Sequence, residues 1–183
     1  MNVHTIVLAA GEGSRMKSNK AKSLQRIGGK TMLEMICQTA GKISKKITLI
    51  VGFDKESILD KSKNFNLDIT SCEQPKPKGT GDAVKCGIDE VTEADKVLVL
   101  YGDVPLIKED TLKELIDISN DGISILTTVL DKPFGYGRVS KDRDGNAIAR
   151  MEETYATEDE KNSTEKLMDV LYDRTDFLKG DWL

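Results

Sequence analysis

The sequence predicts an α/β fold with a mostly parallel mixed sheet flanked by helices, and three observations support this. Apolar runs rich in Val, Ile and Leu recur along the chain, as expected for strands that are buried in a parallel sheet. Segments with helical periodicity separate these runs, which is typical of βαβ units. The chain has 183 residues, of which 38% are hydrophobic, and this is enough for one domain with its own core.

The first half of the chain supplies three predicted strands and two predicted helices. Val3 to Leu8 forms the first apolar run and is the first predicted strand. Thr31 begins a Thr-x-x-Glu capping box, so we expect a helix from there to Gly41. Its expected buried face consists of Met32, Met35, Ile36, Thr39 and Ala40. The other predicted elements are strands at 47–51 and 67–72 and a helix at 54–62.

The second half begins with a helix for which Thr80 is the expected N-cap. Its expected buried residues are Ala83, Val84, Ile88 and Val91. The most apolar strand is predicted at 96–101, and a helix at 108–118 follows it. That helix has Leu112, Leu115 and Ile116 at core spacing. The last expected elements are a strand at 123–130 and a pairing of 137–140 with 147–152 through a turn at 142–145.

A change in composition predicts a domain boundary near residue 153. Residues 152–183 contain ten acids and four bases, with few β-branched residues and no clear strand pattern. Such a segment is expected to be weakly structured or helical. We therefore predict one domain over residues 1–153 and a charged tail over residues 154–183.

Composition also excludes several classes of protein and of site. No segment approaches the roughly 18 apolar residues of a membrane span, and residues 1–4 lack the basic start of a signal peptide. A soluble cytoplasmic protein with no membrane partner is therefore expected. Three scattered cysteines and the single histidine, His4, argue against a zinc site, a disulfide framework and a Ser-His-Asp or Cys-His arrangement. Chemistry must then depend on carboxylates, cations and backbone amides, with or without a metal.

The loop after the first strand has the features of a phosphate-binding site. It contains Gly11 and Gly13, and residues 12–30 carry six cations against one acid in a chain of net charge -4. Glycines free backbone N–H groups to point at an anion, and nearby cations neutralise its charge. The loop is therefore predicted to bind a polyphosphate.

Two well-known phosphate-binding motifs do not fit this loop. A dinucleotide fingerprint needs a third glycine where Met16 stands, and a Walker A motif starting at Gly11 fails at the same residue. A Walker A motif ending at Lys30-Thr31 fails because Leu24 occupies the position of its first glycine. A generic glycine turn followed by solvated basic residues remains an alternative.

A family resemblance gives the third interpretation. The segment Leu8-Ala9-Ala10-Gly11-Glu12-Gly13-Ser14-Arg15-Met16, followed by Lys22, resembles the signature L-x-x-G-x-G-[ST]-R-M…K of sugar-phosphate nucleotidylyltransferases. Three further segments follow in order: Gln74 with Gly79-Thr80-Gly81-Asp82-Ala83, then Tyr101-Gly102-Asp103-Val104-Pro105-Leu106, then Gly135-Tyr136-Gly137-Arg138. Together they resemble the N-terminal uridylyltransferase half of the bacterial bifunctional N-acetylglucosamine-1-phosphate uridylyltransferase and glucosamine-1-phosphate acetyltransferase family. The resemblance covers residues 3 to about 153.

The resemblance implies a fold, a reaction and a cofactor. The fold is a Rossmann-like nucleotidyltransferase fold of GT-A-like type. The reaction joins UTP and N-acetylglucosamine 1-phosphate to give UDP-N-acetylglucosamine and pyrophosphate, with Mg²⁺ as cofactor and no nucleic acid as partner. The attacking phosphate oxygen is already an anion, so the protein has to supply charge neutralisation and alignment rather than a nucleophile.

The resemblance also implies a role for particular residues. Arg15 and Lys22 would be catalytic and neutralise the triphosphate, and Asp103 would ligate Mg²⁺. Ala10, Gly11 and Gly13 would line the nucleotide, and Leu8, Ala9, Tyr101 and Gly102 are expected to bind substrate as well. The residues expected to hold the uracil base are Gln74, Gly79 and Thr80, and those expected to contact the sugar are Gly137 and Glu152.

Structural alternatives exist for each group. Arg15 and Lys22 could belong to a solvated basic loop, and Asp103 could cap the turn that follows it. The segment from Gln74 to Thr80 could be a Pro-rich turn with a helix cap. Glu152 could be a surface charge, or Glu153 could take its role.

The resemblance ends in the last thirty or so residues. The family has an E-[IL]-N-[TS]-G segment that holds the N-acetyl sugar, whereas this chain has Glu165-Lys166-Leu167-Met168-Asp169. The Asn that supplies a second metal ligand and the β-helix acetyltransferase half have no counterpart in these residues. We therefore expect either a fragment or frameshifted product whose last thirty residues are out of register with the family, or a short relative that holds the sugar in another way. Acetyl transfer is not expected in either case. The alternative functions are a catalytically inactive nucleotide-binding domain and a nucleotidylyltransferase for another sugar 1-phosphate, and the oligomeric state is not predicted.

Overall fold

A four-stranded parallel sheet lies at the centre of the fold. The computed structural model describes residues 1–13, 16, 18–76, 78–119, 122–128 and 131, and the backbone of 140–141 and 147–148. The strands of the sheet are β1 (Val3–Leu8), β4 (Lys46–Val51), β5 (Asp68–Glu73) and β6 (Lys96–Tyr101), in the order β5-β4-β1-β6. In register, Thr5 lies opposite Ile47 on one side and Leu98 on the other. The structure thus confirms the predicted fold class.

Four helices cover the two faces of the sheet. They are α1 (Met32–Ala40), α2 (Lys55–Ser62), α3 (Thr80–Ile88) and α4 (Glu109–Ile118). Buried residues of α1, α2 and α4 form one cluster with Val7 and its neighbours, whereas Ala83 of α3 packs with Ile6 and Ile50. Because Ile6 and Val7 are consecutive in β1 and point to opposite faces, three helices lie on one face and α3 lies on the other.

Two short antiparallel pairs accompany the sheet. β2 (Arg26–Ile27) pairs with β3 (Lys30–Thr31), and β7 (Ser140–Lys141) pairs with β8 (Ala147–Ile148). The second pair confirms part of the expected pairing of 137–140 with 147–152. The rest of those segments, and the turn between them, lie outside the described residues.

The capped helix is confirmed, but its predicted buried face is partly wrong. The Thr31 side chain caps α1, and Gly41 follows the last helical residue. The buried residues are Met32, Leu33, Ile36, Cys37 and Ala40. Met35 and Thr39 are only half-buried, because the buried stripe of the helix is centred on Leu33 and Cys37.

The strand expected at 123–130 is wrong for the residues that the structure describes there. Residues 123–128 form no strand, and Ile123, Ile125 and Leu126 are exposed. A strand forms only where a neighbour accepts its backbone hydrogen bonds, and apolar composition alone does not supply that neighbour. Among the named strands, only β1 pairs with β6.

No helix in the described part of the chain combines the length and the apolar character that a membrane span needs.

We predict that the Thr31 hydroxyl stabilises the start of α1. Its Oγ1 accepts a hydrogen bond from the Glu34 N–H at 3.1 Å. Thr31→Val keeps the shape of the side chain and removes the acceptor, so the free energy of unfolding should fall by about 1 kcal/mol in chemical denaturation.

Thr39→Val provides a control within the same helix. The Thr39 hydroxyl donates to the Met35 carbonyl, as helical threonines commonly do, and its loss should change stability by less than about 0.5 kcal/mol. Equal effects of the two substitutions would contradict the capping role of Thr31.

Candidate functional site

The carboxyl ends of three parallel strands meet at one edge of the sheet. The Ala9 N–H, just after β1, donates to the Ile50 carbonyl of β4 at 2.9 Å. The Gly102 N–H, just after β6, donates to the Leu8 carbonyl at 2.9 Å. The segment that leaves β1 is thereby held between those that leave β4 and β6. Open α/β sheets bind their ligands at such an edge.

Gly102 allows an unusually close approach of two segments. A Cβ at this position would lie 3.0 Å from the Leu8 carbonyl oxygen and 3.3 Å from Ser23 Cβ. A larger residue would require these neighbours to move by a few tenths of an ångström. Ser23 is buried there, and its hydroxyl has no hydrogen-bond partner among the residues that the structure describes.

Gly13 allows the basic segment to pack against the loop that precedes it. Its φ of +66° lies in the left-handed region, and a Cβ there would lie 2.8 Å from Lys22 Cβ. Both the backbone conformation and the space therefore require glycine. As a result, Lys22 lies directly beside the glycine loop.

An ion pair joins the segment after β1 to the segment after β6. Lys22 Nζ and Asp103 Oδ2 lie 2.5 Å apart, and the two side chains are 43% and 30% exposed. The structure thus brings together the two residues for which the sequence predicts triphosphate neutralisation and metal binding. An ion pair this exposed contributes on the order of 0–1 kcal/mol, so ligand contacts could replace it at little cost.

Gln74 lies at the same edge, after β5. Its N–H donates to the Val51 carbonyl at 2.8 Å, and its side chain is buried. Gly79 is the N-cap residue of α3 and has a φ of +99°, which favours glycine. Thr80 is therefore the first residue of the helix, and the prediction that Thr80 is its N-cap is wrong.

Asp54 links the glycine loop to the basic segment, and the sequence analysis missed it. Phe53 N–H donates to the Ala10 carbonyl at 3.2 Å, while Asp54 Oδ2 accepts from the Ala21 N–H at 3.1 Å. Asp54 has a φ of +56°, in the left-handed region that glycine adopts most readily and that Asp and Asn tolerate better than most other residues. An acid three residues after the carboxyl end of a predicted parallel strand was the available signal.

The described histidine and cysteines do not offer an activated nucleophile. Burial raises the pKa of Cys37 to about 12 and also raises the pKa of Cys72 and Cys86. These residues are therefore thiols at neutral pH. His4 lies at the opposite end of β1, and burial lowers its pKa, so the ring is neutral.

The predicted site residues divide into two groups. Those at or next to the carboxyl edge of the sheet, or in the segments that leave it, are Leu8, Ala9, Ala10, Gly11, Gly13, Lys22, Gln74, Gly79, Thr80, Tyr101, Gly102 and Asp103. Arg15, Gly137 and Glu152 lie outside the described residues. Except for Arg15, the residues of the expected nucleotide end all lie in the described part of the chain, and the roles of all the predicted site residues stay predictions.

Comparison with known proteins identifies relatives of this chain. The family model of the MobA-like NTP transferase domain matches residues 5–159. The chain is 41% identical over 167 residues to the bifunctional protein GlmU of Psychrobacter cryohalolentis, covering 90% of this chain and 36% of that protein. It is 41% identical over 156 residues to the bifunctional protein GlmU of Neisseria meningitidis serogroup C, covering 85% and 34%. The chain therefore spans about a third of the length of these relatives.

Solved structures share the fold at low sequence identity. A nucleotidyl transferase from Methanothermobacter thermautotrophicus superposes with a TM-score of 0.62 at 20% identity, covering 75% of this chain and 69% of that one. The Rv0371c protein of Mycobacterium tuberculosis, in a complex with manganese, gives a TM-score of 0.51 at 19% identity, covering 64% and 59%. The curated relatives confirm the predicted family resemblance, and the solved structures confirm the nucleotidyltransferase fold.

We predict that Asp54 orders the basic segment through its hydrogen bond to Ala21. Asp54→Gly relieves the left-handed backbone but removes the acceptor, so overall stability should change by less than about 1 kcal/mol. Amide hydrogen exchange at Ala21 should become about 10-fold faster, which corresponds to about 1.5 kcal/mol for a hydrogen bond to a charged acceptor.

Two further variants serve as controls for this prediction. Asp54→Asn keeps an acceptor in a residue that tolerates the left-handed region, so slow exchange at Ala21 should persist. Asn66 has the same φ of +56°, and Asn66→Gly relieves similar strain far along the chain from Ala21. Unchanged exchange at Ala21 in Asp54→Gly would show that Asp54 does not order the segment.

Proposed function

The chain belongs to the family of MobA-like NTP transferase domains, and we propose that it transfers a uridylyl group from UTP to N-acetylglucosamine 1-phosphate. The products would be UDP-N-acetylglucosamine and pyrophosphate. The observation that carries the proposal is the contact of Lys22 with Asp103 beside the glycine loop. Similarity to the bifunctional GlmU proteins supports uridylyl transfer in particular.

The proposed reaction needs charge neutralisation more than it needs a base. A phosphate oxygen of the sugar 1-phosphate attacks the α-phosphorus of UTP, and the bond from that phosphorus to the bridging oxygen breaks to release pyrophosphate. Backbone amides of the loop at Gly11 and Gly13 would bind the triphosphate. The Lys22 ammonium, together with Arg15, would neutralise the negative charge as it moves to the leaving group.

Asp103 is the residue that would hold a divalent metal. In the described part of the chain, no group of three or more His, Cys, Asp or Glu side chains could form a complete metal site. A single half-exposed carboxylate suits Mg²⁺, which is commonly bound by one or two carboxylates together with substrate phosphates and water. When bound, the metal would supply further neutralisation of the phosphates. The manganese complex of the related fold supports a divalent ion.

Lys22 and the metal would compete for the Asp103 carboxylate. With a divalent ion held by Asp103, the Lys22 ammonium would have the triphosphate as its partner in place of that carboxylate. Because the ion pair is half-exposed, this exchange costs little. Nucleotide and metal binding would therefore support each other.

The base and the sugar have separate proposed contacts. Gln74, Gly79 and Thr80 would hold uracil at the carboxyl end of β5. Gly137 and Glu152 would contact the sugar, and this assignment depends on the family resemblance alone. A domain over residues 1–153 and a cytoplasmic location complete the proposal.

Pyrophosphate release tests the proposed function. Purified protein with UTP, Mg²⁺ and a panel of sugar 1-phosphates should release pyrophosphate with N-acetylglucosamine 1-phosphate, and EDTA should abolish the release. Release with a different sugar only would replace the proposed acceptor. UTP binding in calorimetry without release for any sugar would show an inactive nucleotide-binding domain and overturn the proposal.

Arg15→Ala and Arg26→Ala form a matched pair for the same assay. Arg15→Ala should lower kcat/KM on the order of 100-fold, as loss of one charge-stabilising group commonly does. Arg26 is exposed in β2, so Arg26→Ala should change the rate by less than about 3-fold, because loss of a solvated surface charge is nearly neutral. An unchanged rate in Arg15→Ala would remove Arg15 from the site.

A further inference from the structure

Two acceptors fix the orientation of the Gln74 side-chain amide. Gln74 Nε2 lies 3.1 Å from the Gly79 carbonyl oxygen and 2.8 Å from Asp82 Oδ2. A carbonyl and a carboxylate can only accept hydrogen bonds. The amide atom that faces both must therefore be the NH₂ group, and both of its hydrogens are used. The amide oxygen, Oε1, is left as the atom that can bind a ligand.

The surroundings of Gln74 make this orientation difficult to reverse. The residue is 6% exposed, and its backbone N–H is bound to the Val51 carbonyl. A rotation of the amide by half a turn would break two hydrogen bonds and set Oε1 against two other acceptors. Asp82 supplies the charged acceptor of the pair and lies in the first turn of α3, where the helix dipole favours a carboxylate.

We propose that Asp82 is a positioning residue that makes Gln74 select uracil over cytosine at the nucleotide site. The inference rests on the proposed function, in which Gln74 faces the base. Uracil presents an N3–H donor on its pairing edge, and the fixed Oε1 accepts from it. Cytosine presents an unprotonated N3 at the same place, so two acceptors would face each other. A glutamine free to rotate would turn its NH₂ group to cytosine, and Asp82 prevents this.

Comparison with dTTP, which carries thymine, distinguishes selection against cytosine from a general effect on nucleotide binding. The pairing edge of thymine has the same N3–H donor as uracil, so the Gln74 amide does not distinguish the two bases. The identity of Asp82 should therefore change the ratio of UTP to CTP affinity and leave the ratio of UTP to dTTP affinity unchanged. Damage to the fold would lower all three affinities together.

The test is calorimetric binding of UTP, CTP and dTTP to the full 183-residue chain with Mg²⁺. The unaltered chain should bind UTP with at least about 10-fold higher affinity than CTP, because one mispaired buried polar contact weakens binding by about that factor. Asp82→Asn offers Gln74 either a donor or an acceptor, so the preference should fall towards unity, mainly through a gain in CTP affinity. Asp82→Ala removes the charged partner and leaves the Gly79 carbonyl as the remaining acceptor, so it should change the ratio in the same direction.

Asp110→Asn is the matched control, because it removes an acid from the first turn of α4. It should leave both ratios unchanged. A retained preference for UTP in both Asp82 variants would overturn the inference and leave the proposed function standing. Equal binding of UTP and CTP by the unaltered chain, or no nucleotide binding, would overturn the inference together with the proposed uridylyl transfer.

Discussion

The parallel pairing of β1 with both β4 and β6 is the constraint on which the site depends. Strands that run in the same direction end at the same edge, so the segments that follow them must leave the sheet side by side. The backbone bonds from Ala9 to Ile50 and from Gly102 to Leu8 extend this pairing beyond the strands. Lys22 and Asp103 meet for this reason, although 81 residues separate them in sequence.

The framework and the ion pair differ greatly in strength. The sheet is stabilised by backbone hydrogen bonds between its strands and by fully buried side chains such as Val7 and Leu49. Truncation of such a core side chain lowers the free energy of unfolding by about 2–5 kcal/mol. The Lys22–Asp103 pair is half-exposed and contributes on the order of 0–1 kcal/mol. A rigid edge therefore holds charged groups that can change partners cheaply, as phosphate and metal binding require.

Local patterns predicted the elements, and contacts between distant segments accounted for most of what was missed. The bounds of β1 and the capped start of α1 follow from apolar runs and capping residues that lie close together in sequence. The contact of Asp54 with Ala21 spans 33 residues and leaves no local pattern. Gly79 rather than Thr80 is the N-cap of α3, because the backbone there has a positive φ that glycine adopts readily. Residue type alone did not reveal this backbone conformation.

The most direct test of competition between Lys22 and a metal for the Asp103 carboxylate is the affinity of the protein for Mn²⁺, measured by electron paramagnetic resonance. Without nucleotide, Lys22→Met should bind Mn²⁺ more tightly than the unaltered chain, because the competing ammonium is gone while most of the length of the side chain is kept. With UTP present, Asp103→Asn should lose about 10-fold or more in Mn²⁺ affinity, as the loss of a ligand or its supporting partner commonly does. If neither substitution changes Mn²⁺ affinity, Lys22 and Asp103 do not form the metal end of the site.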